Sequence, residues 1–373
     1  MGLKSGSVNV TFFYVPEPLT EDFWNFIHEK LTEGRFRPCS NDDVSCHGFT
    51  TWEDIFSVDF EDLGYRKGEY LAFSFRLDKK KVPPMVVKQH LKEEEKRFFE
   101  EKKRPPSKKE KQFLRETVEK KLLKKAFSCP MGFEIVWNPM NHEMMAGTTS
   151  QGLLEAYLEH FERTFRLYPI PLYHLQWAIY MDGIPKSLKD SISQMINPSS
   201  PSAIKEGRFI GYDFLLWLWY ISEKGENAVD IHDNKKAFIN LGDKLVLTDP
   251  KEGKERTVCT TPSHRLEEAR LALAKGKQLD EAQWVVSVDD RDYSFLLDAS
   301  LWTLRNLKLP MTDKKYDPND PDGYFFERIF LLEELRQVLT EFYGKFLRLR
   351  FDSAWGTDVM PHISEWVNLI QRV

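Results

Sequence analysis

Two proline pairs, Pro83-Pro84 and Pro105-Pro106, bracket the first half of the most charged stretch in this chain. Proline lacks a backbone N–H and its ring clashes with the preceding turn, so it cannot sit inside a continuous helix without breaking it. The stretch therefore has to fold as two helices. The first runs from Met85 to Lys103. The second is capped by Ser107 and runs to about Lys125, with Glu110 completing the S-x-x-E capping pattern. Each helix spans about 27 Å at 1.5 Å per residue. The turn between them is very short, so an antiparallel hairpin is the expected geometry. Its apolar residues are few: Val86, Val87, Leu91, Phe98, Phe99, Phe113, Leu114, Val118, Leu122 and Leu123. They suffice for one narrow seam and leave wide charged faces.

Charge is concentrated on this hairpin. From Lys88 to Lys125 there are 15 Lys and Arg against 8 Glu, a local +7 in a chain of net −5, which leaves −12 on the rest. Such asymmetry is the expected footprint of contact with a nucleic acid or another acidic surface. Lys102, Lys103, Arg104, Lys108, Lys109 and Lys111 crowd the tip, Lys120, Lys121, Lys124 and Lys125 crowd the base, and Lys88 and Arg97 lie along the first helix. Lys88, Arg97, Lys102, Lys103, Arg104, Lys108, Lys109, Lys111, Lys124 and Lys125 are the candidate phosphate contacts. Point charges spaced along a helix can meet a sugar–phosphate backbone without reading bases. The competing reading is a solvated hairpin that satisfies itself with pairs such as Glu93 with Arg97, or one that docks onto another protein.

The remaining residues predict an α+β chain of mixed antiparallel sheets, with a protruding helical hairpin and a helical C-terminal region. Residues 8–14 read as a strand. Thr20 reads as an N-cap, with Glu21 and Asp22 in the first turn of a helix carrying Phe23, Phe26, Ile27 and Leu31 and ending at Gly34. Residues 35–39 read as extended, and 69–77 as a half-buried strand. Residues 133–137 and 143–149 read as a hairpin turning near Asn141, followed by a helix from Leu153 to Phe165. The run 214–221 suits a buried helix or strand, and periodicity does not choose. Further strands are expected around Leu245, Val258, Val285 and Phe295. Between the second and third of these, His264 to Lys275 reads as a helix closed by Gly276. The Pro/Ser cluster at 198–202 is a linker candidate and 312–323 an exposed loop. Strands and helices mix without βαβ alternation, so α+β is preferred to a doubly wound sheet. The expected segments are 1–82, an N-terminal α+β part of a central domain; 83–127, the basic arm; 128–200, a β-hairpin and helix completing the central region; 201–310, a second α+β region; and 311–373, helical.

Signatures of catalysis are scarce. There is no phosphate loop, G-x-G-x-x-G, H-E-x-x-H or G-x-S-x-G. Cys39, Cys46, Cys129 and Cys259 form no C-x-x-C pair and read as unrelated thiols in a reducing compartment. Cys39, Cys46 and His47 match no zinc spacing. Residues 317–323 miss the calcium-loop spacing. Asp289, Asp290 and Asp292 follow an expected strand and could hold magnesium for phosphodiester cleavage, but a solvated turn explains them better. No apolar run reaches the length of a membrane span, and the N-terminus lacks the pattern of a secretion signal. The expectation is a cytoplasmic protein with no catalytic residues, no metal and no cofactor.

The arm sequence, residues 86–128, resembles the recombination-associated RdgC family. Lys88-Gln89, Arg104, Lys108 to Lys111 and Ala126-Phe127-Ser128 fall on the family pattern without a gap. Thinner similarity covers the Phe-x-Pro-Cys segment ending at Cys39 and residues 266–309. The resemblance implies a non-enzymatic, ring-shaped homodimer that encircles double-stranded DNA with little sequence preference and restrains a RecA-type recombinase, hence nucleoid association. It implies that Phe127 plugs the dimer interface, where the residues alone suggest a helix-end core position. The sequence departs from the pattern in the Pro105-Pro106 tip, in Thr260-Thr261 where a basic pair is expected, and in the 209–228 and C-terminal stretches. The alternatives are a metal-dependent DNA nuclease using Asp289, Asp290 or Asp292, and a protein-interaction module with a charged hairpin.

Overall fold

The computed structural model describes residues 2–16, 22–40, 43–181, 184–195, 203–249, 255–260, 265–310 and 320–369. Thr20, Glu21, Thr261, His264, the 198–202 linker and most of the 312–323 loop lie outside the described residues. The fold is α+β. It divides into two compact units, one of Met1–Glu17, Val136–Thr149 and Pro169–Val373, the other of Pro18–Ile135 and Ser150–Tyr168.

In the first, larger unit, seven strands lie side by side, each antiparallel to its neighbours. In spatial order they are Arg256–Thr260, Lys235–Thr248, Gln278–Val288, Arg291–Asp298, Leu304–Lys308, Ser7–Tyr14 and Glu143–Ala146. The ambiguous run at 214–221 belongs to a helix, Ala203–Lys224. Its Phe214 ring meets Trp302 at 5.4 Å, Tyr343 at 4.9 Å and Phe346 at 5.2 Å. Tyr343 and Phe346 come from the long helix Pro321–Arg350. Large rings buried at these distances form an aromatic cluster within the unit's apolar core.

The smaller unit places Tyr70–Lys80 between Ser45–Thr51 and Ser128–Asn138. The expected half-buried strand at 69–77 is instead buried continuously from Tyr70 to Phe75. As an interior strand it has a partner on either edge, and the helix Gln151–Phe165 presses Tyr157 and His160 against Phe75. Cys39 and Cys46 are not unrelated thiols: they form a disulfide, with Cα atoms 5.3 Å apart. The chain doubles back there, Arg35 bridging Phe49 in parallel, and this brings the two within bonding reach. Cysteine usage therefore no longer argues for a reducing compartment. Cys129 is free and exposed, and Cys259 free and buried.

Each unit buries a neutral histidine. His160 Nε2 donates to the Gly34 carbonyl at 2.8 Å, while its Nδ1 accepts from Arg163 at 3.0 Å. A second proton would have to face that guanidinium without water, and burial first of all pushes the pKa down to about 4. His174, held by the Asp298 carbonyl at 3.0 Å, is likewise pushed by burial to about 4. Unfolded histidine titrates near 6.5, so the unfolded chain takes up protons that the native state refuses. Stability from these sites is complete above about pH 6.5 and is lost as pH falls towards 4. Urea midpoints should drop between pH 7 and pH 5, and less so in His160→Gln. Equal pH dependence in wild type and variant would remove His160 from this account.

Candidate nucleic-acid interface

The arm consists of the helices Pro84–Lys102 and Lys108–Lys125. Pro84 opens the first at a position where its missing N–H costs nothing. Lys103 closes it in the left-handed region, φ 54°, which turns the chain towards Pro105. Ser107 and Glu110 form the reciprocal capping box that starts the second helix. Glu110 also receives both Arg104 terminal nitrogens at 2.8 Å, and Arg104 lies 5.4 Å over the Phe98 ring. The Arg104 guanidinium, helped by the Ser107 backbone N–H, holds the Glu110 carboxyl well below the usual range. The tip is thus closed by its own ionic clamp, and Arg104, a candidate phosphate contact, is engaged inside it.

The seam between the helices is thinner than the sequence suggests. Only Val87 and Val118 are buried, whereas Phe99 is 52% and Phe113 69% exposed. The helices are instead linked by Lys111–Glu95 at 3.4 Å and Lys121–Glu94 at 4.0 Å. Arg97 pairs with Glu94 at 3.0 Å and not with Glu93, which faces His90 at 3.5 Å. Glu94 stands between Arg97 and Lys121 and so draws the arginine one position back. Arg115 pairs with Glu119 at 2.9 Å.

All ten candidate phosphate contacts are exposed. Nine of them separate into two groups. Arg97, Arg104 and Lys111 are committed to carboxylates of the arm. Lys88, Lys102, Lys103, Lys108, Lys109 and Lys125 carry no ion pair among the described residues. Lys92 and Lys96, which the sequence reading passed over, belong with them. With Lys88 they recur every four residues along one face of the first helix, about 6 Å apart along its axis. That spacing was the available signal. The result is a tip of four unpaired lysines continuing into a lysine row, with Glu94, Glu95, Glu110 and Glu119 engaged in pairs inside the arm.

At the foot of the arm, Val44, Val82, Pro84, Val87, Leu91 and Leu123 wall an apolar groove of about 700 Å³, with Lys80, Lys81, Lys88 and Arg115 among its other lining residues. Phe127 follows the second helix. It is not the core residue that its position suggests: it is 92% exposed, the most exposed large apolar side chain described.

Asp289, Asp290 and Asp292 lie at the tight turn between Gln278–Val288 and Arg291–Asp298. Asp289 has φ 51° and faces Lys235 at 3.8 Å, and Asp292 accepts the Ser287 hydroxyl at 2.6 Å. The three do not converge on a common point. Among the described residues, no three His, Cys, Asp or Glu gather as a metal ion would require, and no helix is long and apolar enough to cross a membrane.

No curated protein matches the chain. A family model described as "RdgC: Putative exonuclease, RdgC" matches residues 8–180, a span that contains the whole arm and Phe127. Over those residues the chain is similar to the RdgC family.

Proposed function

We propose that this chain is a non-catalytic, largely sequence-indifferent double-stranded DNA-binding protein. It acts as a ring-forming homodimer that restrains RecA-type recombination, which would place it on the nucleoid. The observation that carries the reading is the arm's division of charge. Glu94, Glu95, Glu110 and Glu119 are engaged by a few cations. The tip lysines with the 88–92–96 row outnumber Glu100 and Glu101, which are unpaired among the described residues, and remain free for phosphates. Lysines without a partner release condensed counterions when they meet DNA, which is the main source of sequence-independent affinity.

The test is anisotropy of a labelled duplex at several salt concentrations. If about six phosphates are neutralised, log affinity should fall against log salt with a slope near −5. Absence of salt-steep binding at low salt would hand the arm to a protein partner. The family description favours a second reading, an exonuclease. Magnesium-dependent loss of an end-labelled duplex, abolished by Asp289→Ala, would establish it and overturn the non-catalytic reading.

Phe127 is the proposed plug of the dimer. An aromatic exposed in one chain gains burial only against another molecule. Phe127→Ala should leave the melting temperature unchanged while weakening dimerisation about 30-fold, as for a hot-spot aromatic. Sedimentation velocity across a dilution series reads this directly, and an unaltered dimer would remove Phe127 from the interface.

A further inference from the structure

We infer that the larger unit carries a nucleobase-binding cleft, separate from the arm. The cleft, about 630 Å³, is walled by Leu172, Trp177, Met181 and Met140 and is of a size that suits a small planar ligand. Three features point to its chemistry.

The first is an aromatic platform. Tyr14 and Tyr180 stack with centroids 4.6 Å apart and planes 17° from parallel, and His142 stands 5.6 Å from Tyr14. A flat ring extends such a stack whatever its identity, because every base has a π-face.

The second is the polar edge. Gln337, Thr340 and Glu341 line the cleft from the helix Pro321–Arg350. They are three and four residues apart and so share one helix face. Thr340 Oγ1 already donates to the Arg336 carbonyl at 2.9 Å, so towards the cleft it only accepts, as the Glu341 carboxylate and the Gln337 amide oxygen do. The matching ligand edge is rich in donors, as the exocyclic amine of an amino-substituted nitrogen heterocycle is. The nearby Arg336 is already tied to Glu143. With Glu143 and Glu341 both in the lining, the cleft has no surplus positive charge for a phosphate. The base, not the phosphate, is the recognised part.

The third is local strain. His142 is held in the left-handed region at φ 62°, its Nδ1 3.0 Å from the Val15 carbonyl. Non-glycine residues are kept in that region where the surroundings over-determine them, often at ligand sites.

The test uses the full chain and adenosine, a neutral nucleoside, titrated by calorimetry and by saturation-transfer NMR. For a ligand of this size the expected dissociation constant is on the order of 0.1 mM. Tyr180→Ala and, independently, Gln337→Leu should each weaken binding at least tenfold. Gln337 lies half-buried on a long helix, so its variant reports even where Tyr180→Ala folds poorly. Absence of adenosine binding at millimolar concentration, or binding indifferent to both substitutions, overturns the inference. A single-stranded oligonucleotide that displaces adenosine would identify the base as part of a strand; adenosine binding without displacement would identify a free nucleoside or nucleotide. Either outcome supports the cleft. Because the cleft shares no residue with the arm, lysine substitutions there leave adenosine binding unchanged, and failure of one reading leaves the other standing.

Discussion

Duplex DNA affinity should fall by roughly three orders of magnitude at 0.1 M salt when Lys102, Lys103, Lys108 and Lys109 are all replaced by glutamine. Each phosphate contact contributes about 0.9 to the log–log salt slope, so losing four should flatten the slope by about 3.6. The four side chains are exposed and without ion pairs among the described residues. Removing their charge therefore leaves the Arg104–Glu110 clamp and the capping box intact, and helicity by circular dichroism should not change. Replacement by arginine should preserve binding, since the demand is for charge. The informative contrast is Arg104→Gln. It removes one charge as well, but one already neutralised by Glu110, so the slope should barely move while the tip loosens. A quadruple variant with wild-type slope would sever the arm from DNA binding.

Trp302→Ala should destabilise the larger unit by about 3–5 kcal/mol, the usual range for a buried tryptophan. Trp302 is fully buried. Its ring meets Tyr343 at 4.6 Å, His174 at 4.8 Å, Trp177 at 4.9 Å and Phe214 at 5.4 Å. Deleting it strands four neighbours around a void too rigidly framed to collapse. For a unit of this size the melting temperature should fall by roughly 10 °C. Phe127→Ala should move it hardly at all, because that ring is almost fully exposed. Comparable losses for both would contradict the described burial.

Where sequence reading succeeded, a local rule was enough. Pro105-Pro106 and Ser107-x-x-Glu110 fixed the arm's turn and second helix, because backbone chemistry and capping act over a few residues. Gly34 and Gly276 marked helix ends for the same reason. What escaped depended on residues far apart in the chain. Cys39 and Cys46 are joined only because the chain doubles back beside Phe49, a fact no spacing rule contains. Arg97 chose Glu94 over Glu93 because Glu94 also serves Lys121 from the other helix. The run at 214–221 is apolar all round, so it had no periodicity to betray a helix until Trp302, Tyr343 and Phe346 surrounded it. The nucleobase cleft draws Tyr14, His142, Tyr180 and Gln337 from segments more than a hundred residues apart at its extremes. Within the candidate interface, charge was legible and pairing was not: which lysines remain available is decided by side-chain geometry.

The thin seam of the arm has a mechanical meaning. Two buried valines and two surface ion pairs hold its helices to each other, and exposed ion pairs contribute at most about 1 kcal/mol each. Each helix is stiff along its own axis, but the angle between them is governed by weak, screenable bonds. The arm is accordingly a compliant lever with rigid struts: it can open to follow the curvature of whatever it grips, and the ionic strength that weakens its grip also softens its frame.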